Sequence, residues 1–199
     1  MNYYKGGNTK DFLIIHHTGS GKKTTFQNIV DYLTNNRYVS AHYVIGRKGE
    51  VKQLVNNNDR AWHAGRSEWK GITNLNNHSI GIEILSDGHT FTDEQRNAVL
   101  KLCRELMGKY SIPKENVLRH ADIAPKRKWD VGTAFYMNTW GTWQGFQKVL
   151  DEEKQIIPDW AKEGIKWAKK EGISNCNNLF EPVTRMEMLV MLHRLSKQK

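Results

Sequence analysis

The chain has little that could staple it together or anchor it. Among 199 residues there are two cysteines, Cys103 and Cys176. They lie far apart, each in a segment that reads as separately packed structure, so free thiols and synthesis in a reducing compartment are expected rather than a disulfide framework. No stretch approaches the roughly 20 apolar residues of a membrane span. The opening Met1-Asn2-Tyr3-Tyr4-Lys5-Gly6-Gly7 lacks the apolar segment of a signal peptide. Cytoplasmic synthesis without a leader is therefore expected, and work elsewhere requires another means of release. A recognition helix, a zinc finger and a stacking-sheet motif are also missing, which argues against nucleic acid as the partner. What is present is a globular composition, 38% hydrophobic and 26% charged, with a formal net charge of +9. Such charge attracts polyanions, whether nucleic acid, anionic lipid or phosphate-rich wall polymer, and does not by itself choose among them.

Phe12-Leu13-Ile14-Ile15 runs into His16-His17-Thr18-Gly19-Ser20-Gly21, a short buried strand delivering two histidines to a glycine-rich turn. Strand ends of this kind are where open α/β sheets place their sites. Alternation puts His16 with Phe12 and Ile14, and His17 with Leu13 and Ile15, so one of the two points into a given site. Residues 25–36 carry Phe26, Ile29, Val30 and Leu33 at helical spacing. A hairpin of 41–46 and 51–55 follows, turning at Arg47-Lys48-Gly49-Glu50. His42 within it is either a ligand or a strand histidine without a chemical task. Residues 56–77 form a long polar loop, of a length that more often binds than fills. Its His63 is a candidate cleft residue, and Trp62 either walls the cleft or packs the loop onto the sheet.

Ser79-Ile80-Gly81-Ile82-Glu83-Ile84-Leu85 is the most informative strand. Its isoleucines share one face, leaving Ser79, Gly81 and Glu83 on the other. A carboxylate in mid-strand is costly to bury unpaired. Small neighbours leave room for a ligand beside Glu83, which reads as functional. Thr92-Asp93-Glu94-Gln95 then opens a core helix with a capping box, and Val117-Leu118-Arg119 is a short strand leading to His120. In 119–132, Pro125 biases Ala124 toward extended geometry, so His120 and Asp130 read as two ends of a loop. Lys128 and Asp130, two apart, leave an extended segment on the same side while Trp129 points away. Residues 139–153 read as one amphipathic helix closing a first domain. A second, 158–199, opens at Pro158-Asp159-Trp160 and carries another capping box at Thr184-Arg185-Met186-Glu187. The fold class expected is α/β, a mixed central sheet flanked by helices, with a small helical C-terminal module.

The polar residues can now be gathered. His16, His120 and Asp130 form a ligand set suited to zinc, two imidazoles and a carboxylate with a fourth position open. Glu83 is placed to take a proton from water, and Lys128 to stabilise an oxyanion. In Ile14-Ile15-His16-His17-Thr18, Ser40-Ala41-His42-Tyr43-Val44-Ile45, Arg60-Ala61-Trp62-His63-Ala64-Gly65, Ser79-Ile80-Gly81-Ile82-Glu83 and His120-Ala121-Asp122-Ile123-Ala124-Pro125 through Asp130, the chain resembles the type 2 N-acetylmuramoyl-L-alanine amidases. That family shares its fold with the peptidoglycan recognition proteins. The resemblance implies that His16, His120 and Asp130 hold zinc, that Glu83 is the base, and that Lys128 helps bind the oxyanion. It implies cleft roles for His63 and, more weakly, His42 and Trp62. Some members have a tyrosine just before the strand histidine; here Ala41 stands there, placing more weight on Glu83.

The tail resembles a single S-layer homology unit, through Asp159-Trp160-Ala161, Trp167-Ala168, Gly172-Ile173, Phe180-Glu181-Pro182, Thr184-Arg185-Met186-Glu187 and Leu192. The expected partners are peptidoglycan and anionic wall polymers, not nucleic acid or membrane, with pairing of two chains through the lone tail unit as a candidate homodimer. A phage endolysin, made in the host cytoplasm and released by a holin, fits this organisation. The alternatives are a bacterial autolysin and a non-catalytic peptidoglycan-binding protein.

Overall fold

Strands that are apolar on both faces must be covered on both, and two such strands organise this protein. The computed structural model describes residues 2–152 and 159–172 together with positions 190 and 193. Two compact units are present, Met1–Glu152 and Glu153–Lys199. In chain order the first contains β1 (Tyr3–Tyr4), β2 (Phe12–His17), α1 (Phe26–Asn35), β3 (Tyr43–Ile45), β4 (Val51–Gln53), β5 (Arg60–Ala61), β6 (Glu68–Trp69), β7 (Ile72–Thr73), β8 (Ser79–Ile84), α2 (Asp93–Tyr110), β9 (Val117–Arg119), α3 (His120–Ile123), α4 (Thr133–Trp140) and α5 (Trp143–Asp151).

The main sheet has the order β4-β3-β8-β2-β9. Its last four members run parallel, and β4 returns antiparallel along β3. On one face Leu13, Ile15, Ile80, Ile82 and Ile84 pack against Val99, Leu102, Cys103 and Leu106 of α2 and against Phe135 and Phe146. On the other, Phe12 and Ile14 meet Leu75, Leu118 and Ile123, while Val44 and Leu85 meet Ile29, Val30 and Leu33 of α1. The chain is thus α/β, a mixed central sheet flanked by helices. Capping boxes start both long helices: Thr25 with Asn28 on α1, and Thr92 with Gln95 on α2.

Three local expectations change. The single helix over 139–153 is two, because Gly141 takes φ +72° and ends α4 while the Thr142 hydroxyl accepts from the Gly145 N–H and starts α5. The loop of 56–77 is more ordered than its polarity suggests. There β5 pairs with β1, and β6 and β7 form a hairpin whose turn residues Lys70 and Gly71 both have positive φ. The extended reading of 119–132 yields at its start, where His120–Ile123 make one helical turn before Pro125. Cys103 is a free, buried thiol, and burial pushes its pKa up.

In the second unit α6 (Asp159–Lys170) is the helix expected after Pro158. Phe180-Glu181-Pro182, the capping box from Thr184, Leu192 and Cys176 lie outside the described residues. Among the described residues no helix is long and apolar enough to cross a membrane.

Two substitutions separate core from cap. Leu106→Ala, at a fully packed site, should cost about 2–5 kcal/mol in urea unfolding. Thr92→Ala, which removes one capping hydroxyl, should cost about 0.5–2 kcal/mol in the same measurement.

Candidate metal centre and cleft

Parallel neighbours end on the same edge of a sheet, and here that edge collects the titratable groups. His16 is the penultimate residue of β2, and His120 follows directly on β9, the strand beside it. Asp130 is brought back to them by its backbone, since the Ala121 N–H donates to Asp130 O at 2.6 Å. The His16 and His120 Nδ1 atoms lie 2.8 Å apart, and Asp130 Oδ2 lies 3.3 Å and 3.1 Å from them. All three residues are buried, at 1%, 3% and 7% exposure.

This triangle suits a metal ion. Ligand atoms about 2.0–2.1 Å from a tetrahedral metal are separated by about 3.3 Å, close to the spacing present. Burial and then the neighbouring His120 hold the His16 pKa down at about 4, so it offers a neutral lone pair at pH 7. Burial pulls the Asp130 carboxyl up, but its close contacts with His120 and His16 outweigh it and hold the group far below the usual carboxylate range. The Asp130 anion, the neutral His16 imidazole and the His120 ring therefore converge on one point.

Glu83 sits beside them, its Cα the direct partner of that of His16 in the β2–β8 ladder. Its Oε2 is buried without a hydrogen-bond partner. Burial first, and then the nearby Asp130, raise its pKa to about 8, with Lys128 pulling the other way. Glu83, Lys128 and Asp130 line a cleft of about 240 Å³ together with Tyr32, Trp62 and His63. A larger hollow of about 800 Å³, between 65–76 and 123–127, contains none of the ligand candidates, so the chemistry is assigned to the smaller one.

The remaining candidates divide. Trp62 stands in the cleft wall. His63 also borders it, but both ring nitrogens face protein, Nδ1 at 2.9 Å from His16 Nε2 and Nε2 at 3.3 Å from Ser79 Oγ. The room expected beside Glu83 is filled by this imidazole: a Cβ on Gly81 would stand 2.4 Å from His63 Cγ. His42 is a correction. It is wholly buried, and its Nδ1 accepts from the Gly81 N–H while Nε2 lies 3.0 Å from Asp59 O, so it ties strands and loop together and offers nothing to a substrate. Burial lowers its pKa to about 4.

Sequence reasoning missed Tyr32, which α1 turns toward the cleft beside the buried Leu33, and Asn76, whose Oδ1 accepts from the His63 and Ala64 N–H groups at 3.0 and 2.8 Å. Helical spacing alone gives Tyr32 as an exposed neighbour, and nothing in a polar loop marks Asn76. Trp129 does point away from Lys128 and Asp130. It is 54% exposed, stacked on His89 and tilted against His17.

A two-histidine, one-carboxylate cluster at the end of a mixed sheet, with an unpaired carboxyl and a lysine at its side, is a site of the metal-dependent hydrolase kind. The family model for N-acetylmuramoyl-L-alanine amidase matches residues 6–133, and the chain belongs to that family. It is 36% identical over 140 residues to N-acetylmuramoyl-L-alanine amidase AmiD of Escherichia coli K12, which covers 62% of this chain and 49% of the relative. To 1,6-anhydro-N-acetylmuramyl-L-alanine amidase AmpD of Haemophilus influenzae it is 46% identical over 99 residues, covering 49% and 54%. The chain thus spans about half the length of these relatives. The solved structure of E. coli AmiD in complex with its substrate, anhydro-N-acetylmuramic acid-L-Ala-D-gamma-Glu-L-Lys, superposes with a TM-score of 0.60 at 34% identity, covering 70% of this chain and 57% of that one.

The raised Glu83 pKa has a measurable consequence in the metal-free protein. An unfolded glutamate ionises near 4.5 and the folded one near 8. Between those values the unfolded chain has released a proton that the folded one retains, so the Glu83 contribution to stability is present below about pH 4.5 and is lost as pH rises toward 8. Glu83→Gln removes the titration. The melting temperature of the variant minus that of the wild type should climb across this window and level off above it; a flat difference would count against the buried carboxyl.

Proposed function

We propose that the chain is a zinc-dependent N-acetylmuramoyl-L-alanine amidase that hydrolyses the amide between the lactyl group of N-acetylmuramic acid and the L-alanine of the stem peptide. The observation that carries this is the convergence of His16 Nδ1, His120 Nδ1 and Asp130 Oδ2 beside Glu83, whose Oε2 is buried without a partner, within the residues that match the family. The bound muropeptide of AmiD names the substrate class. Nitrogen and carboxylate ligands at these spacings favour zinc. Held there, zinc supplies a Lewis acid that acidifies water and polarises the amide carbonyl.

The protein's own groups do the rest. Ionised, Glu83 accepts the proton of the attacking water and then returns it to the leaving alanine nitrogen. The Lys128 ammonium, which lines the same cleft, offsets the negative charge that develops on the carbonyl oxygen. Trp62 and Tyr32 line the same cleft and limit the water around the reacting amide. A non-catalytic peptidoglycan-binding role is disfavoured because every ligand position and the base position are filled.

Three finer readings belong to the same proposal. The chain acts as a phage endolysin rather than a bacterial autolysin, made in the host cytoplasm and reaching the wall after holin-type release; the sequence resemblance supports this. The region 158–199 binds an anionic wall polymer, supported by its S-layer-like motifs and the net charge of +9. Pairing of two chains through that region completes a binding surface that one unit leaves partial.

On purified walls the protein should release free N-terminal alanine without new reducing sugar; reducing ends without amino groups would make it a glycosidase instead. Glu83→Ala should keep its zinc by plasma emission and lose nearly all turnover. Lys128→Ala should lower kcat by about 10²–10³-fold, and unchanged rates in either variant remove that residue from the mechanism.

A further inference from the structure

Two carbonyl oxygens fix the proton positions of the whole cluster, because a carbonyl accepts and never donates. His120 Nε2 lies 3.1 Å from Ala64 O, so Nε2 carries the proton and Nδ1 keeps its lone pair. At the far side the Ser79 hydroxyl donates to Leu75 O. Its only proton is used there, so the 3.3 Å contact with His63 Nε2 is donated by the ring. With the ring proton of His63 placed on Nε2, its Nδ1 is the acceptor. The 2.9 Å contact with His16 Nε2 is then donated by His16, which leaves the His16 lone pair on Nδ1, the atom facing His120 and Asp130.

The two anchors of this arrangement are consecutive residues. His63 presents its ring to His16, and Ala64 presents its carbonyl to His120. Asn76 Oδ1 accepts from both of their N–H groups and so holds the pair as one unit. Arg127 Nη2 donates to Ala64 O at 2.8 Å and fixes that carbonyl from the outside. Gly81 leaves the His63 ring its place, since any Cβ there would overlap it.

We infer that His63-Ala64 is a positioning clamp for the metal centre, in which the His63–Ser79–Leu75 relay and the Ala64 carbonyl set the tautomers of His16 and His120, with Asn76 pinning both prongs. His63 is then a positioning residue and not a substrate contact. The inference rests on the proposed reading of His16, His120 and Asp130 as metal ligands. Outer partners of this kind hold a ligand's orientation and basicity, and their loss commonly weakens metal binding about 10–100-fold.

The test uses the full-length chain with zinc as the probe, its dissociation constant read by competition with a chromophoric chelator. His63→Phe keeps a ring and removes both relay nitrogens; it should weaken zinc binding about 10–100-fold and alter the visible spectrum of the cobalt(II)-substituted protein. Ser79→Ala should produce a smaller loss in the wild type and none in the His63→Phe background, because the relay is already cut. Asn76→Ala should weaken binding and Asn76→Asp, which keeps the acceptor oxygen, should restore it. Urea unfolding of each metal-free variant separates these effects from a damaged fold, and Ser79→Ala carries the test if His63→Phe does not fold. Zinc affinity within about twofold of wild type in both His63→Phe and Ser79→Ala, or additive losses in the double variant, would overturn the clamp alone. A wild-type chain that takes up no zinc would overturn the metal reading and the clamp with it.

Discussion

Everything in the first unit serves one unfavourable requirement: two imidazole lone pairs and a carboxylate oxygen must be held about 3 Å apart inside a protein. Without a cation these atoms repel, and water would relieve them if it could enter. Rigid delivery is the remedy. Two adjacent parallel strands bring His16 and His120 to the same edge, and a backbone hydrogen bond across the base of the loop returns Asp130. The apolar packing on both faces of β2 supplies the stiffness, since its first five residues are buried.

Much of this was legible in the chain. Phe12 to Ile15 ending in two histidines marks a buried strand with a site at its end, and alternation along 79–85 separates Glu83 from the isoleucines. The capping box at Thr92 is local chemistry and appears where its helix begins. The two-residue spacing of Lys128 and Asp130 placed both on the cleft and turned Trp129 outward.

What stayed hidden depends on groups that meet only after folding. His42 looks as reactive as His16 in sequence; its neighbours Gly81, Asp59 and Asn8 come from distant segments and make it a strut. His63 reads as a cleft residue because nothing local reveals that Ser79 and His16 will occupy both its nitrogens. The break between α4 and α5 was written as Gly141-Thr142, a helix stop followed by a cap, but the aromatic spacing on either side runs through it and suggests one helix.

One detail of the ladder reaches further. His16 and Glu83 are opposite one another on neighbouring parallel strands, and strands in a sheet keep a fixed interval of about 4.8 Å. The interval between the His16 and Glu83 backbones is therefore a lattice constant of the sheet. Surface loops can lengthen, shorten or change composition around this edge without retuning it. The backbone acts as a ruler, leaving side chains at the rim free to diverge while the spacing of His16 and Glu83 stays the same.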